Sequence, residues 1–279
     1  MKQLVLAAML AAPLVSIAQK LPQPSPSGKV EQVVGLTTVK VDYSRPSTKG
    51  RKIFGDLVPF GEIWRLGANK CTTIEFDGEV TIEGQAVKPG KYSLFAMPSE
   101  EVWTVFLNSN TELWGADERK PTEDVLIVKV PRQKMISPVE TFTIGFEAVK
   151  DDKALLRIQW ETTMIDVKLT ADATAQGLAN IKEALAKPDA TFGAYHSSAR
   201  FCVDRNIDLP QALVWAEKSV SMEKKYWNTH MLALARAANG KYKEAIEAAE
   251  MSMALAQTEK DENYVKMNKA KIEEWRMKK

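Results

Sequence analysis

The sequence predicts an α+β protein of two domains, an antiparallel, jelly-roll-like β-sandwich followed by α-helical hairpins. Three observations carry this reading. Up to Thr170, apolar and polar residues alternate in short runs. Beyond Ala171 the apolar residues recur every three or four positions. Within that second region a short motif returns after 33 residues. A chain of 279 residues is long enough for two domains of roughly 100–150 residues each.

The β region spans residues 29–170 and follows a Pro/Ser-rich lead-in at residues 19–28. Residues 37–43 alternate, as do 72–76, 79–83, 92–96, 102–107 and 125–130, and then 141–148, 154–160 and 164–169. These runs are rich in Val, Ile, Thr, Phe and Trp, which suit a pleated, half-buried surface. Turn residues separate them, among them Asp77-Gly78, Glu83-Gly84 and Pro89-Gly90. No helix-length period intervenes, so the strands are joined by hairpins and loops, which makes the sheets antiparallel.

Residues 171–279 read as helices. Leu178, Ile181 and Leu185 mark one apolar stripe, ended by Pro188. Further stripes cover 192–203, 211–222, 227–238, 242–256 and 264–275, with Pro210 at a helix start and Gly240 at a helix end. Ala212-Leu213-x-x-Ala216 returns as Ala245-Ile246-x-x-Ala249, the second copy preceded by Gly240-Lys241-Tyr242. This resembles a tetratricopeptide repeat, in which small alanines let paired helices approach closely. Ala233 stands where the repeat carries Gly, and Arg236 where it carries an aromatic residue.

The first 18 residues read as a signal peptide. Lys2 is followed by an apolar run from Leu4 to Val15, and Ser16 and Ala18 are the small residues expected before a cut at Gln19. The expectation is an exported protein, periplasmic or extracellular, with no lipid anchor because no Cys stands at the cut. No other segment reaches the roughly 18 apolar residues of a membrane span.

Composition narrows the function. Lys and Arg total 38 against 36 Asp and Glu, a net of +2, which excludes binding to nucleic acid through a large basic field. The two histidines, His196 and His230, and the two cysteines, Cys71 and Cys202, are too few for a His-rich or Cys-rich metal site. No phosphate-loop, dinucleotide or nucleophile-elbow motif is present, so no cofactor is expected. The cysteines fall in different domains and are read as buried free thiols.

One segment fits neither pattern. Residues 44–70, SRPSTKGRKIFGDLVPFGEIWRLGANK, show no strand or helix period. Connections this long inside a domain are usually functional or disordered. This one is too apolar for disorder, with Ile53, Phe54, Leu57, Val58, Phe60, Ile63, Trp64 and Leu66 expected to pack onto the sandwich. Arg45, Lys49, Arg51, Lys52, Arg65 and Lys70 face only Asp56 and Glu62, a net of +4. A cationic ordered loop on a near-neutral protein is a candidate anion or saccharide site. Guanidinium forks would grip the anion, Trp64 would offer a stacking face, and Asn69 a polar contact. The ligand set is therefore Arg45, Arg51, Trp64, Arg65 and Asn69. The competing reading is structural, with the arginines capping loop carbonyls or pairing Asp56 and Glu62.

The stretches YSRPSTKGRKIFG (43–55), LVPFGEIWRLGANKCTTIEF (57–76), PGKYSLF (89–95) and WTVFLN (103–108) resemble the bacterial exported family of unknown function numbered 2911. The resemblance implies an N-terminal β domain and export, and it implies no reaction.

Three functions are weighed. The first is a non-enzymatic binding protein that uses the loop; under it, Arg51→Ala abolishes binding and leaves the melting temperature nearly unchanged. The second is a hydrolase of envelope polysaccharide with Asp56 and Glu62 as acid and base. The third is a scaffold that binds a protein partner through the helical tail.

Overall fold

The computed structural model describes residues 21–278, so the targeting segment at residues 1–18 lies outside the described residues. The chain divides into two units after Asp172, close to where the apolar period changes.

Among the described residues, the first unit holds ten strands: β1 (Ser27–Val34), β2 (Thr37–Ser44), β3 (Thr73–Phe76), β4 (Val80–Ile82), β5 (Gln85–Val87), β6 (Gly90–Met97), β7 (Val102–Asn108), β8 (Asp124–Pro131), β9 (Gln133–Lys150) and β10 (Lys153–Thr170). They form two antiparallel sheets, one in the order β1-β2-β3-β6-β7-β8 and one in the order β5-β4-β10-β9. The first sheet follows chain order except where the β4–β5 hairpin crosses to the other. Alternation explains the layering. In β2, Thr37, Val39, Val41 and Tyr43 turn inward, and in β10 Leu156, Ile158, Trp160, Ile165, Val167 and Leu169 do so. Side chains of both sheets meet in a single core. Tyr43 ties the sheets together: its hydroxyl donates to the Ile144 carbonyl at 3.1 Å and accepts from the Ile144 amide at 3.2 Å.

Four elements differ from the sequence reading, β9 among them, since it begins at Gln133, well before the run read at 141–148. β1 is a strand where none was read, because it is an edge strand whose burial is only partial along most of its length. β5 is three residues long, too short to show a period. The runs 154–160 and 164–169 are one strand. Glu161, at φ 52°, makes a bulge between them, and the pairing with β9 shifts register there.

Among the described residues, the second unit holds six helices: α1 (Thr174–Leu185), α2 (Phe192–Arg205), α3 (Leu209–Met222), α4 (Tyr226–Ala238), α5 (Tyr242–Thr258) and α6 (Glu262–Arg276). The repeated alanines carry the packing: Ala212, Ala216, Ala245 and Ala249 are all wholly buried, and so is Ala233. A second repeat appears that the sequence reading did not use. Ser219 of α3 donates to the Phe192 carbonyl at 2.8 Å, and Ser252 of α5 donates to the Tyr226 carbonyl at 2.6 Å. Gly240, at φ 74°, ends α4 in the left-handed conformation that glycine adopts without strain. No described helix is long and apolar enough to cross a membrane. Cys71 and Cys202 are buried free thiols.

Candidate functional site

The 44–70 segment is ordered and pinned to both sheets. At its start it lies on β9: the Thr48 amide donates to the Glu140 carbonyl at 2.8 Å, and the Phe142 amide donates to the Pro46 carbonyl at 2.8 Å. Further on it lies on β6: Trp64 and Ala96 exchange amide-to-carbonyl bonds of 2.7 and 2.9 Å. Ile53, Phe54, Val58, Trp64 and Leu66 join the main core, as their apolar character requires. Leu57 does not; it stays 46 % exposed.

Between the two anchor points the segment encloses a pocket of about 320 Å³. Arg51, Arg65, Trp64, Gly67 and Ala68 line it from the segment itself, with Leu57 and Val58 beside them. Trp160 of β10, Pro46 and Ser25 complete the wall. Gly67 is needed here. Its φ is 144°, and a Cβ would lie 2.7 Å from the Ser44 carbonyl oxygen. The Trp64 indole donates to the Gly67 carbonyl at 3.1 Å, and the Thr72 amide donates to the Arg65 carbonyl at 3.3 Å. These bonds fix the backbone on either side of Arg65.

The arginines differ in what holds them. Arg45, expected to face a ligand, is used inside the protein. Its Nε donates to the Phe142 carbonyl at 3.2 Å and its Nη2 to Thr143 Oγ1 at 2.9 Å. Arg51 reaches the pocket, yet its Nε donates to the Thr48 carbonyl at 2.9 Å and its Nη2 to the Ser47 carbonyl at 2.8 Å. Its charge is also felt by Glu140, whose carboxyl is held below its usual range by the Thr48 hydroxyl, the Lys49 amide and then Arg51. Arg51 therefore braces the loop, and Arg51→Ala would loosen the turn as well as change the pocket.

Arg65 is different. Among the described residues its guanidinium has no hydrogen-bond acceptor and no ion-pair partner, and its Nε is shielded from solvent. The neighbouring Cys71 supplies no counter-charge. Burial pushes that thiol up to about 11, with Arg65 the chief opposing influence, so it stays protonated at neutral pH. The shielded Nε–H, left without an acceptor, costs free energy, whereas the two amino groups of Arg65 are not shielded and are open to an acceptor from outside the chain.

The other sequence-predicted residues are placed as follows. Trp64 is largely covered and stacks on Trp160 with centroids 5.8 Å apart, so it forms floor and core, with no open stacking face. Asn69 lies outside the pocket; its amide donates to the Ser25 carbonyl at 3.2 Å and to Ser44 Oγ at 3.3 Å. Asp56 and Glu62 are exposed, and neither lines the pocket. Trp160 and Ser25 were not in the predicted set. Trp160 alternates inward on a strand, which reads as core, and Ser25 sits in the low-complexity lead-in.

The fold and the pocket define a β-sandwich that carries an ordered cationic loop and is followed by a helical unit. The chain belongs to a family of proteins of unknown function, DUF2911, whose model matches residues 25–169. That span contains every residue that lines the pocket. No curated protein and no solved structure matches the chain.

Proposed function

We propose that this is an exported binding protein whose β unit takes a small anionic ligand, such as an acidic sugar, in the Arg65 pocket. The carrying observation is the Arg65 guanidinium, which lines a pocket and has no acceptor among the described residues. Arginine presents a planar fork that matches a carboxylate or phosphate with two parallel hydrogen bonds. The volume of about 320 Å³ suits a ligand of monosaccharide size. Arg51 adds positive charge at the rim, and the edges of Trp64 and Trp160 give the pocket an apolar floor.

Glucuronate and glucose, at matched ionic strength, are the test pair. Glucuronate raises the melting temperature of the wild-type protein and glucose does not. Arg65→Gln removes the glucuronate effect and keeps the unliganded melting temperature. A shift that survives in Arg65→Gln contradicts the reading.

A further inference from the structure

The wall of the Arg65 pocket holds one polar side chain that carries no charge and braces nothing. Apart from Arg51, Arg65 and Ser25, the side chains that line it are aliphatic or indole. Both indole N–H groups are engaged inside the protein: Trp64 Nε1 donates to the Gly67 carbonyl at 3.1 Å, and Trp160 Nε1 donates to the Glu140 carbonyl at 3.2 Å. Arg51 gives its Nε to Thr48 and its Nη2 to Ser47. Ser25 differs from these. It is half-buried, its hydroxyl has no hydrogen-bond partner among the described residues, and that oxygen is not shielded from solvent.

Ser25 precedes β1, so its place in the wall needs a cause. Three restraints supply it. The Asn69 side-chain amide donates to the Ser25 carbonyl at 3.2 Å. The Arg45 amide donates to the carbonyl of the next residue, Pro26, at 2.8 Å. Prolines at 24 and 26 stiffen the main chain on both sides: Pro24 fixes its own φ, and Pro26 keeps Ser25 out of the helical region. Asn69 reaches back to Ser25 from a left-handed residue at φ 59°, a conformation that asparagine tolerates better than most. Its amide also donates to Ser44 Oγ at 3.3 Å, which ties the same side chain to the end of β2.

This arrangement bears on what the pocket takes. A ligand whose carboxylate meets Arg65 lays the rest of its surface against the other walls. A hydrocarbon body needs no further polar partner there. A hydroxylated body gives up water at each hydroxyl that it buries and requires a hydrogen bond in return. A serine hydroxyl donates and accepts at once, so it pairs with a sugar hydroxyl in either sense.

We infer that Ser25 is the residue with which the pocket reads a hydroxyl group of its ligand, and that Asn69 is the positioning residue that holds Ser25 in the wall. The inference rests on the reading of Arg65 as the anion receptor, and it narrows the ligand class from small anions to hydroxylated carboxylates. Asn69 thereby belongs to the recognition apparatus without lining the pocket.

The test titrates the full chain calorimetrically, at matched ionic strength, with glucuronate and with cyclohexanecarboxylate, which keeps a six-membered ring and the carboxylate and lacks every hydroxyl. Wild type binds both. Ser25→Ala weakens glucuronate about fivefold, the margin of one hydrogen bond, and leaves cyclohexanecarboxylate within about twofold of wild type. Asn69→Gly keeps the left-handed turn and loses the donor to the Ser25 carbonyl; it weakens glucuronate selectively as well. The double variant loses no more than Ser25→Ala alone, because Asn69 acts through Ser25. Equal loss of both probes in Ser25→Ala, or loss of neither, overturns the hydroxyl assignment and leaves the Arg65 reading standing. Additive losses in the double variant overturn the positioning role of Asn69. Binding of neither probe to wild type overturns the Arg65 reading and this inference with it.

Discussion

Arg65 shows what a residue-level account has to explain. Three arginines of one loop share a side chain and a charged neighbourhood, and only their acceptors tell them apart. Arg51 finds carbonyls three and four residues away, and Arg45 finds one on β9, across the fold. The sequence marks all three as cations in an ordered segment. It could not separate them, because a carbonyl leaves no trace in residue identity. An unpaired, half-buried charge also sets the sign of a substitution. Arg65→Met keeps the apolar stem and removes the shielded, unpartnered Nε–H, so it leaves stability unchanged or raises it by up to about 2 kcal/mol. Denaturant midpoints of the two proteins check this. A loss of more than about 2 kcal/mol would mean that the guanidinium is holding the fold together.

At the scale of elements, the pocket depends on how the loop is bent. Gly67 is the sharpest constraint, with its φ of 144° and the Ser44 carbonyl close by. Gly61, at φ 82°, has open space around the position of a Cβ. Gly67→Ala therefore costs about 2–4 kcal/mol, strain and clash together, whereas Gly61→Ala costs about 1 kcal/mol from backbone conformation alone. Urea unfolding distinguishes them, and equal losses would contradict the role given to Gly67. Strands with strict alternation and helices with a regular stripe were legible in the sequence. The edge strand β1, the three-residue β5 and the bulge at Glu161 were not. In these places pairing partners and register decide the structure, and neither appears in a single run of residues. The pocket was half legible: its cationic wall lies in one segment, while Trp160 arrives from β10.

For the molecule as a whole, both histidines lie in the helical unit and none in the β unit. Burial lowers the pKa of each, assisted by Arg200 at His196 and by Lys271 at His230, where the Asn268 bond opposes it. Asp204 and Tyr264 line, with both histidines, a cleft between α2, α4 and α6. The folded state then binds protons less readily than the unfolded chain. The contribution is whole above the ordinary histidine value of about 6.5 and is lost as pH falls below it toward the depressed folded values. Calorimetry between pH 7.5 and about 5.5 should move the transition of the helical unit down while the β unit stays in place. A β transition that falls alongside it would contradict this assignment.

The central claim is that Arg65 is a built anion receptor and that the other loop arginines are structural. The most direct measurement follows the arginine Nε–H resonances of the ¹⁵N-labelled full chain as glucuronate is added, with the Arg65 signal assigned by its disappearance in Arg65→Lys. The account predicts a saturable shift at Arg65, while Arg45 and Arg51, already bonded to Phe142 and Thr48, move little. An unmoved Arg65 signal, or an equal unsaturated drift of all three, would contradict it.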